Sequence, residues 1–208
     1  MDQERILVVD DDEGLLHLLK MRLSAMGFIV TPCTTGQDAL NAAKQQTFDM
    51  AITDLRLRGE DGLEVTEELL RTQPGLPVII LTGHGDIATA VSEMKRGAFD
   101  FFTKPVNRET LLPRVREAVN DHLRRHATEH EAATIRMRLA TLSKRECEVM
   151  DHVALGKSNK QIARVLNLAE RTVANHRASV LLKTEAANSA DLVRQLGIVG
   201  RVQSNSSG

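Results

Sequence analysis

The sequence predicts an α/β region, a doubly wound five-stranded parallel sheet of order 2-1-3-4-5, joined through a helical linker to a small all-α region of four helices. Three observations predict it. Over the first 120 residues, short apolar runs alternate five times with amphipathic stretches, the pattern of a parallel sheet covered by helices on both faces. A long stretch without glycine or proline follows, so nothing in it halts a helix. The remainder holds four helix-length segments set off by capping residues.

The elements follow in order. RILVVDD (residues 5–11) reads as the first strand, and EGLLHLLKMRLSAMG (13–27) sets Leu15, Leu16, Leu19 and Leu23 on one helical face before stopping at Gly27. FIVTPC (28–33) is the second strand, GQDALNAAKQQ (36–46) a helix and DMAITDL (49–55) the third strand. A helix over 63–72, a strand over PVIILTG (77–83), a helix over 87–96, a strand over DFFTKP (100–105) and a helix from Arg108 complete five β-α units. Right-handed crossovers close such units into a doubly wound sheet.

Beyond Val119, NDHLRRHATEHEAATIRMRLATL continues the fifth helix as a linker. In LSKRECEVMDHVALG, Ser143 and Glu146 form a capping box ahead of Val149, Met150 and Val153, and Gly156 is the stop. SNKQIARVLN repeats the device with Ser158 and Gln161, and ERTVANHRASVLLK and NSADLVRQLG supply two more helices. The expected division is residues 4–120, a linker over 121–138, a helical domain over 139–200 and a flexible tail over 201–208.

Charge separates the two parts. Residues 1–122 carry 13 Lys+Arg against 20 Asp+Glu, and residues 139–208 carry 10 against 6, inside a net charge of -1. The second part suits a polyanion, and the first can attract a cation. A hydrophobic content of 42% excludes a disordered polymer. Cys33 and Cys147 make neither a metal-ligand spacing nor a disulfide framework, which fits a reducing cytosol. No apolar run approaches the ~18 residues that span a bilayer, MDQER is no signal peptide, and a cytoplasmic protein without a membrane partner is expected. No GxxxxGK[ST] phosphate loop exists in the chain.

The polar outliers of the strands share one position. Asp10 and Asp11 end the first strand, Asp54 the third, Thr82 the fourth and Lys104 the fifth, so all gather at the carboxyl edge of the sheet, where open α/β sheets bind ligands. With the first and third strands flanking the switch point, three carboxylates meet, and their repulsion calls for a proton or a cation. Mg2+ fits, held by carboxylates, waters and a backbone carbonyl just past Asp54. An ammonium opposite them, Lys104, suits a phosphoryl group on one carboxylate. Any one of these residues alone reads as a cap, a turn former or a solvated charge, and their conjunction carries the inference.

ILVVDDD, ITDLRLRGEDG, VIILTGHGD and DFFTKPV, in this order and spacing, resemble the receiver domain of bacterial two-component response regulators, a flavodoxin-like fold, over about the first 120 residues. The resemblance implies that Asp54 takes a phosphoryl group from a sensor histidine kinase, and that Asp10 and Asp11, with the Arg56 carbonyl, hold Mg2+. It further implies that Thr82 hydrogen-bonds the phosphoryl group, that Lys104 pairs with it, that Phe101 turns inward behind the threonine, and that Lys104 and Pro105 are joined by a cis bond. Two departures stand out. Arg58 occupies a position where the family usually has proline, which implies a more mobile loop, and Phe101 lacks the hydroxyl of the tyrosine also common there. His84 reads as a surface residue.

In the basic part, two short helices joined by a tight turn outline a helix-turn-helix, although small bundles that bind protein share this outline. Val173 and Val180 lie seven apart on a core face, leaving Arg171, Asn175 and Ala178 toward a groove, where Arg suits guanine and Asn adenine. Lys157, Lys160, Arg177 and Lys183 are placed to neutralise phosphates, and Asn159, Thr172 and His176 complete the expected DNA-contacting set. LSKRECEVM, GKSNKQIARVL and RTVANHRASVLLK resemble the LuxR/FixJ-type helix-turn-helix over roughly residues 139–198, and the whole chain resembles a FixJ/NarL-class transcriptional regulator. Ala169 stands where that family usually has a serine cap, and Ala174 where a basic residue is frequent.

The resemblance implies a phosphorylation-switched homodimer that binds double-stranded promoter DNA and can engage RNA polymerase, and a protein that loses its phosphoryl group slowly rather than a turnover enzyme. Two other readings stay open at the level of sequence: a regulator acting unphosphorylated through protein contacts, and an aspartyl-phosphate phosphohydrolase.

Overall fold

A computed structural model describes residues 3–83 and 98–201. His84 and the helix predicted over 87–96 lie outside the described residues. The chain forms two compact units, Met1–Arg125 and His126–Gly208.

The first unit is built on strands β1 (Arg5–Val9), β2 (Ile29–Cys33), β3 (Met50–Asp54), β6 (Val78–Thr82) and β7 (Asp100–Thr103). They pair in parallel in the order β2-β1-β3-β6-β7, which is the predicted 2-1-3-4-5. Helices α1 (Glu13–Ala25), α2 (Gly36–Gln45), α3 (Gly62–Thr72) and α4 (Arg108–Ala140) account for the other described elements of this unit apart from one hairpin.

Alternation within the strands assigns the helices to faces. Leu7, Val9, Ala51, Val78 and Ile80 pack with Ala39 and Ala43 of α2 and Val65 and Leu69 of α3. Ile6, Val8, Met50, Ile52, Ile79 and Leu81 pack with Leu16, Leu19 and Leu23 of α1 and Leu111, Val115 and Val119 of α4. The three inner strands β1, β3 and β6 are therefore buried on both faces, and the charged residues of the sheet stand only at strand ends.

Two local predictions need correction. The first strand was expected to run through Asp11, but it ends at Val9, because Asp12 is extended and caps α1, accepting from the N–H groups of Gly14 and Leu15. The segment after β3, read from the sequence only as a loop that turns into the next helix, folds into an antiparallel hairpin of β4 (Arg56–Leu57) and β5 (Glu60–Asp61). Gly59 at φ +77 makes the turn, a conformation other residues rarely adopt. Gly62 then starts α3 so close to β3 that a Cβ there would lie 2.0 Å from the Asp54 carbonyl oxygen. Only glycine fits.

In the second unit, Ile135 and Leu139 at the end of α4 pack with α5 (Lys144–Ala154), α6 (Asn159–Leu166), α7 (Glu170–Thr184) and α8 (Ser189–Ile198). The last turns of the predicted linker are thus part of a core rather than a spacer, whereas residues 123–131 are exposed throughout. Ile135 faces this core because it shares a helical stripe with Ala132 and Leu139. Both predicted capping boxes form, at Ser143 with Glu146 and at Ser158 with Gln161.

Candidate functional site

The carboxyl edge of the sheet collects the predicted acidic residues. Asp10 follows β1, is fully buried, and donates its backbone N–H to the Cys33 carbonyl at 3.1 Å. Its Oδ1 accepts the Asp12 N–H at 2.9 Å. Asp54 ends β3 and is 6% exposed, its Oδ1 accepting the Arg56 N–H at 3.3 Å and its Oδ2 accepting Lys104 Nζ at 2.7 Å. Lys104 Nζ also lies 2.7 Å from Asp10 Oδ2. That contact is an ion pair outside hydrogen-bond angles, so the buried oxygen has a counter-charge but no hydrogen bond. Asp10, Asp11 and Asp54 each present one oxygen within 4.8 Å of the others.

Neighbouring strands aim the remaining parts. Thr82 ends β6, is fully buried, and donates its hydroxyl to the Gly83 carbonyl at 3.2 Å. The Thr82 carbonyl accepts the Lys104 N–H at 2.8 Å, which carries the lysine in from the end of β7. The Lys104–Pro105 bond is cis. Phe101, half-buried on β7, packs against the core layer formed by α2 and α3. Arg56, whose backbone carbonyl was expected near the metal, opens the hairpin with its side chain exposed.

Burial and charge pull against each other here. Desolvation raises the Asp10 carboxyl above its ordinary range, and the Asp54 charge adds to this, while Lys104 and the Asp12 N–H offset only part. Burial works to lower the Lys104 ammonium, but its contacts with Asp10 and then Asp54 outweigh it and hold the group above its ordinary value. The lysine is therefore charged and faces more than one negative group. An all-oxygen donor set with a buried oxygen short of a hydrogen bond fits a hard divalent cation such as Mg2+.

The hairpin borders this pocket. Glu60 accepts the Gly36 N–H at the start of α2, where the helix dipole favours a carboxylate. Arg58 sits at the turn, its side chain 88% exposed, and places Nε 3.2 Å from Asp11 Oδ2.

In the second unit, α6 and α7 are joined by a three-residue turn in which Asn167 adopts φ 52. Lys160, Arg171 and Asn175 are exposed, while Lys157, Asn159, Thr172, His176 and Arg177 are half-buried. Arg177 donates to Asn159 Oδ1 at 3.1 Å and Ser189 Oγ at 2.6 Å, tying α7 to the starts of α6 and α8. Lys157 Nζ lies 3.3 Å from His152 Nδ1. Lys183, expected as a phosphate contact, is exposed and lies 2.7 Å from Glu146 Oε2.

With this geometry in place, comparison with known proteins is decisive. A family model described as the response regulator receiver domain matches residues 6–116, and one described as bacterial regulatory proteins, luxR family, matches residues 140–196. The chain is 36% identical over 189 residues to the transcriptional regulatory protein FixJ of Bradyrhizobium diazoefficiens, covering 91% of this chain and 92% of the relative. The chain is a two-component response regulator. It belongs to the group that joins a receiver domain to a LuxR-type helix-turn-helix and acts as a transcription factor. The response regulator TodT of Pseudomonas putida strain F1 is 33% identical, covering 91% of this chain and 83% of the relative. Among solved structures, this response regulator matches StyR with a TM-score of 0.82 at 29% identity, covering 94% and 99% of the two chains. Full-length FixJ from B. japonicum matches with a TM-score of 0.61 at 34% identity, covering 98% and 100%.

Sequence reasoning missed Glu146 as more than a cap. This buried carboxylate accepts from the Ser143 N–H, Ser179 Oγ and Lys183 Nζ, joining the start of α5 to the recognition helix α7 of the response regulator. Its capping-box position was legible, but partners 33 and 37 residues away leave no local signal. The hairpin was missed as well, and its GEDG spacing with Gly59 and Gly62 was the available signal.

Proposed function

We propose that Asp54 of this response regulator accepts a phosphoryl group from a sensor histidine kinase in a Mg2+-dependent reaction, and that the modification switches dimerisation and promoter binding. A carboxylate oxygen of Asp54 attacks phosphorus, the phosphorus–nitrogen bond of the donor phosphohistidine breaks, and the nitrogen leaves with the bonding electron pair. Asp10, Asp11, Asp54 and the Arg56 carbonyl would hold Mg2+, which when bound supplies positive charge against the phosphoryl oxygens. Lys104 neutralises a second side of the group, and the Thr82 hydroxyl turns from Gly83 to donate to a phosphoryl oxygen. Phe101 follows by repacking, since it has no hydroxyl to report the change.

The observation that carries this reading is the Lys104 ammonium at 2.7 Å from Asp54, set among carboxylates at the sheet edge. The chain takes up one phosphoryl group and loses it slowly rather than turning over a substrate. Residues 4–120 act as the receiver, 121–138 as the linker, and 139–200 as the DNA-binding domain, in a cytoplasmic protein that, once phosphorylated, forms a homodimer on double-stranded promoter DNA and can engage RNA polymerase. Arg171, Thr172 and Asn175 read bases. Lys157, Lys160, Asn159, His176 and Arg177 hold the phosphate backbone, and Lys183, its charge already met by Glu146, contributes chiefly by fixing α7.

Asp54→Asn tests the reading. Labelling by a small phosphodonor with Mg2+ should vanish, and labelling at the wild-type level would refute it.

A further inference from the structure

We infer that Arg58 restrains cation uptake at the acidic pocket: its guanidinium holds Asp11 in the metal-free protein and must release it when Mg2+ enters. The inference rests on the assignment of Asp11 to the Mg2+ site. Three constraints place Arg58 there. Gly62 fixes where the hairpin returns to β3, since its position admits no Cβ against the Asp54 carbonyl. Glu60 anchors the second strand of the hairpin to the start of α2. The pairing of Leu57 with Glu60 leaves Arg58 and Gly59 as the turn, with Gly59 at φ +77. The side chain at 58 then reaches back across the pocket mouth to Asp11 Oδ2 at 3.2 Å.

The charge arrangement makes this consequential. Lys104 already neutralises Asp10 and Asp54 from the inner side, at 2.7 Å from each. Asp11 is the half-exposed carboxylate of the three, and among the described residues Arg58 is the cation that meets it. Among the described residues, an entering divalent ion therefore competes with one ammonium inside and one guanidinium at the mouth. Because Arg58 is 88% exposed, water and salt screen its effect, which confines it to tuning. A residue that held the pocket shut would be buried.

Calorimetric Mg2+ titration of the full chain tests the inference without any phosphoryl donor. At low ionic strength, Arg58→Ala should bind Mg2+ roughly twofold to fivefold more tightly than wild type, and the difference should shrink toward none as salt rises. Arg58→Lys, which keeps the charge, should stay near wild type. Wild-type affinity in Arg58→Ala, a gain that survives high salt undiminished, or Arg58→Lys behaving like Arg58→Ala would each overturn it. Asp11→Asn separates this inference from its foundation. If Mg2+ binding is indifferent to Asp11→Asn, the metal site itself is misassigned. If binding depends on Asp11 but not on residue 58, only the role of Arg58 falls.

Discussion

Lys104 Nζ lies 2.7 Å from Asp54 Oδ2, so the carboxylate proposed to carry the phosphoryl group is already ion-paired across the strands β3 and β7 before any donor arrives. The same ammonium meets the fully buried Asp10 at 2.7 Å, and one lysine therefore compensates two carboxylates. Lys104→Met keeps the stem and removes the charge. It should destabilise the metal-free receiver by about 2–3 kcal/mol, somewhat under the loss for a wholly buried pair because the lysine side chain is 26% exposed. Urea unfolding without metal measures this. Mg2+ should recover part of the loss, and an unchanged midpoint would show that Lys104 is not the counter-charge.

Asp10→Asn should do the opposite. The folded-state value of Asp10 is raised above 3.8, chiefly by burial, so its stabilising contribution is complete below pH 3.8 and is lost as pH rises through the folded value. At neutral pH the ionised group is a net cost that asparagine removes. The metal-free variant should be more stable than wild type at pH 7, with the gap closing as pH falls toward 3.8. Mg2+ at about a hundred times its dissociation constant should stabilise wild type by about 2.7 kcal/mol and the variant far less. A variant less stable than wild type at neutral pH would contradict the balance described for this pocket.

Gly62→Ala tests the backbone that holds the site. The new methyl would sit 2.0 Å from the Asp54 carbonyl oxygen and 2.7 Å from that of Leu55, and neither backbone group can yield without moving β3 or α3. A loss of about 1–3 kcal/mol is expected, with slower phosphoryl uptake because Asp54 moves with its strand. Gly59→Ala leaves the pocket wall alone and strains only the turn at φ +77, so phosphoryl uptake should fall much less than in Gly62→Ala.

The sheet and its active edge were legible because they are written in alternation and in what interrupts it. Asp54, Thr82 and Lys104 each break an apolar run, and the parallel order carries every such break to one edge. The hairpin carried no periodic signal, since four residues paired around Arg58 and Gly59 have no room for one, and only its glycine spacing pointed to it. Long-range polar ties such as Glu146 to Lys183 were invisible for a different reason. They depend on how helices cross, which charge and spacing along one helix do not state. The linker was legible as helix, and Leu139 was already placed in the second domain, but the ownership of Ile135 by the second core was not legible, because its partners lie in later helices.

Ala169→Ser should strengthen the start of the recognition helix. Ala169 stands at the N-cap of α7 with φ -71 and ψ 144, the extended geometry a serine cap adopts, yet no side chain caps the helix. Glu170 in the first turn supplies only a dipole contribution. Serine should add about 0.5–1 kcal/mol, read as a raised midpoint for the second unit. Base choice should be unchanged, because Arg171 and Asn175 keep their places on the helix. An unchanged midpoint would mean that the first turn is satisfied some other way.

Glu146 gives the second unit an acid limit of its own. Lys183 first, then Ser179 and the Ser143 N–H, hold its carboxyl down at about 2, against an ordinary 4.5. A depressed folded value means the stabilising contribution is complete above pH 4.5 and is lost as pH falls toward 2. Glu146→Gln removes the ion pair but keeps one acceptor, and should cost about 1–2 kcal/mol at pH 7, discounted because the Lys183 side chain is 38% exposed. The variant and wild type should converge as pH is lowered through this window, which thermal unfolding at pH 7, 4.5 and 3 would follow. Freed from Glu146, Lys183 becomes available to phosphate, so nonspecific DNA binding should rise slightly and its salt slope steepen while promoter discrimination falls. A stability difference that stays constant across the acid range would show that the glutamate acts through packing rather than through its charge.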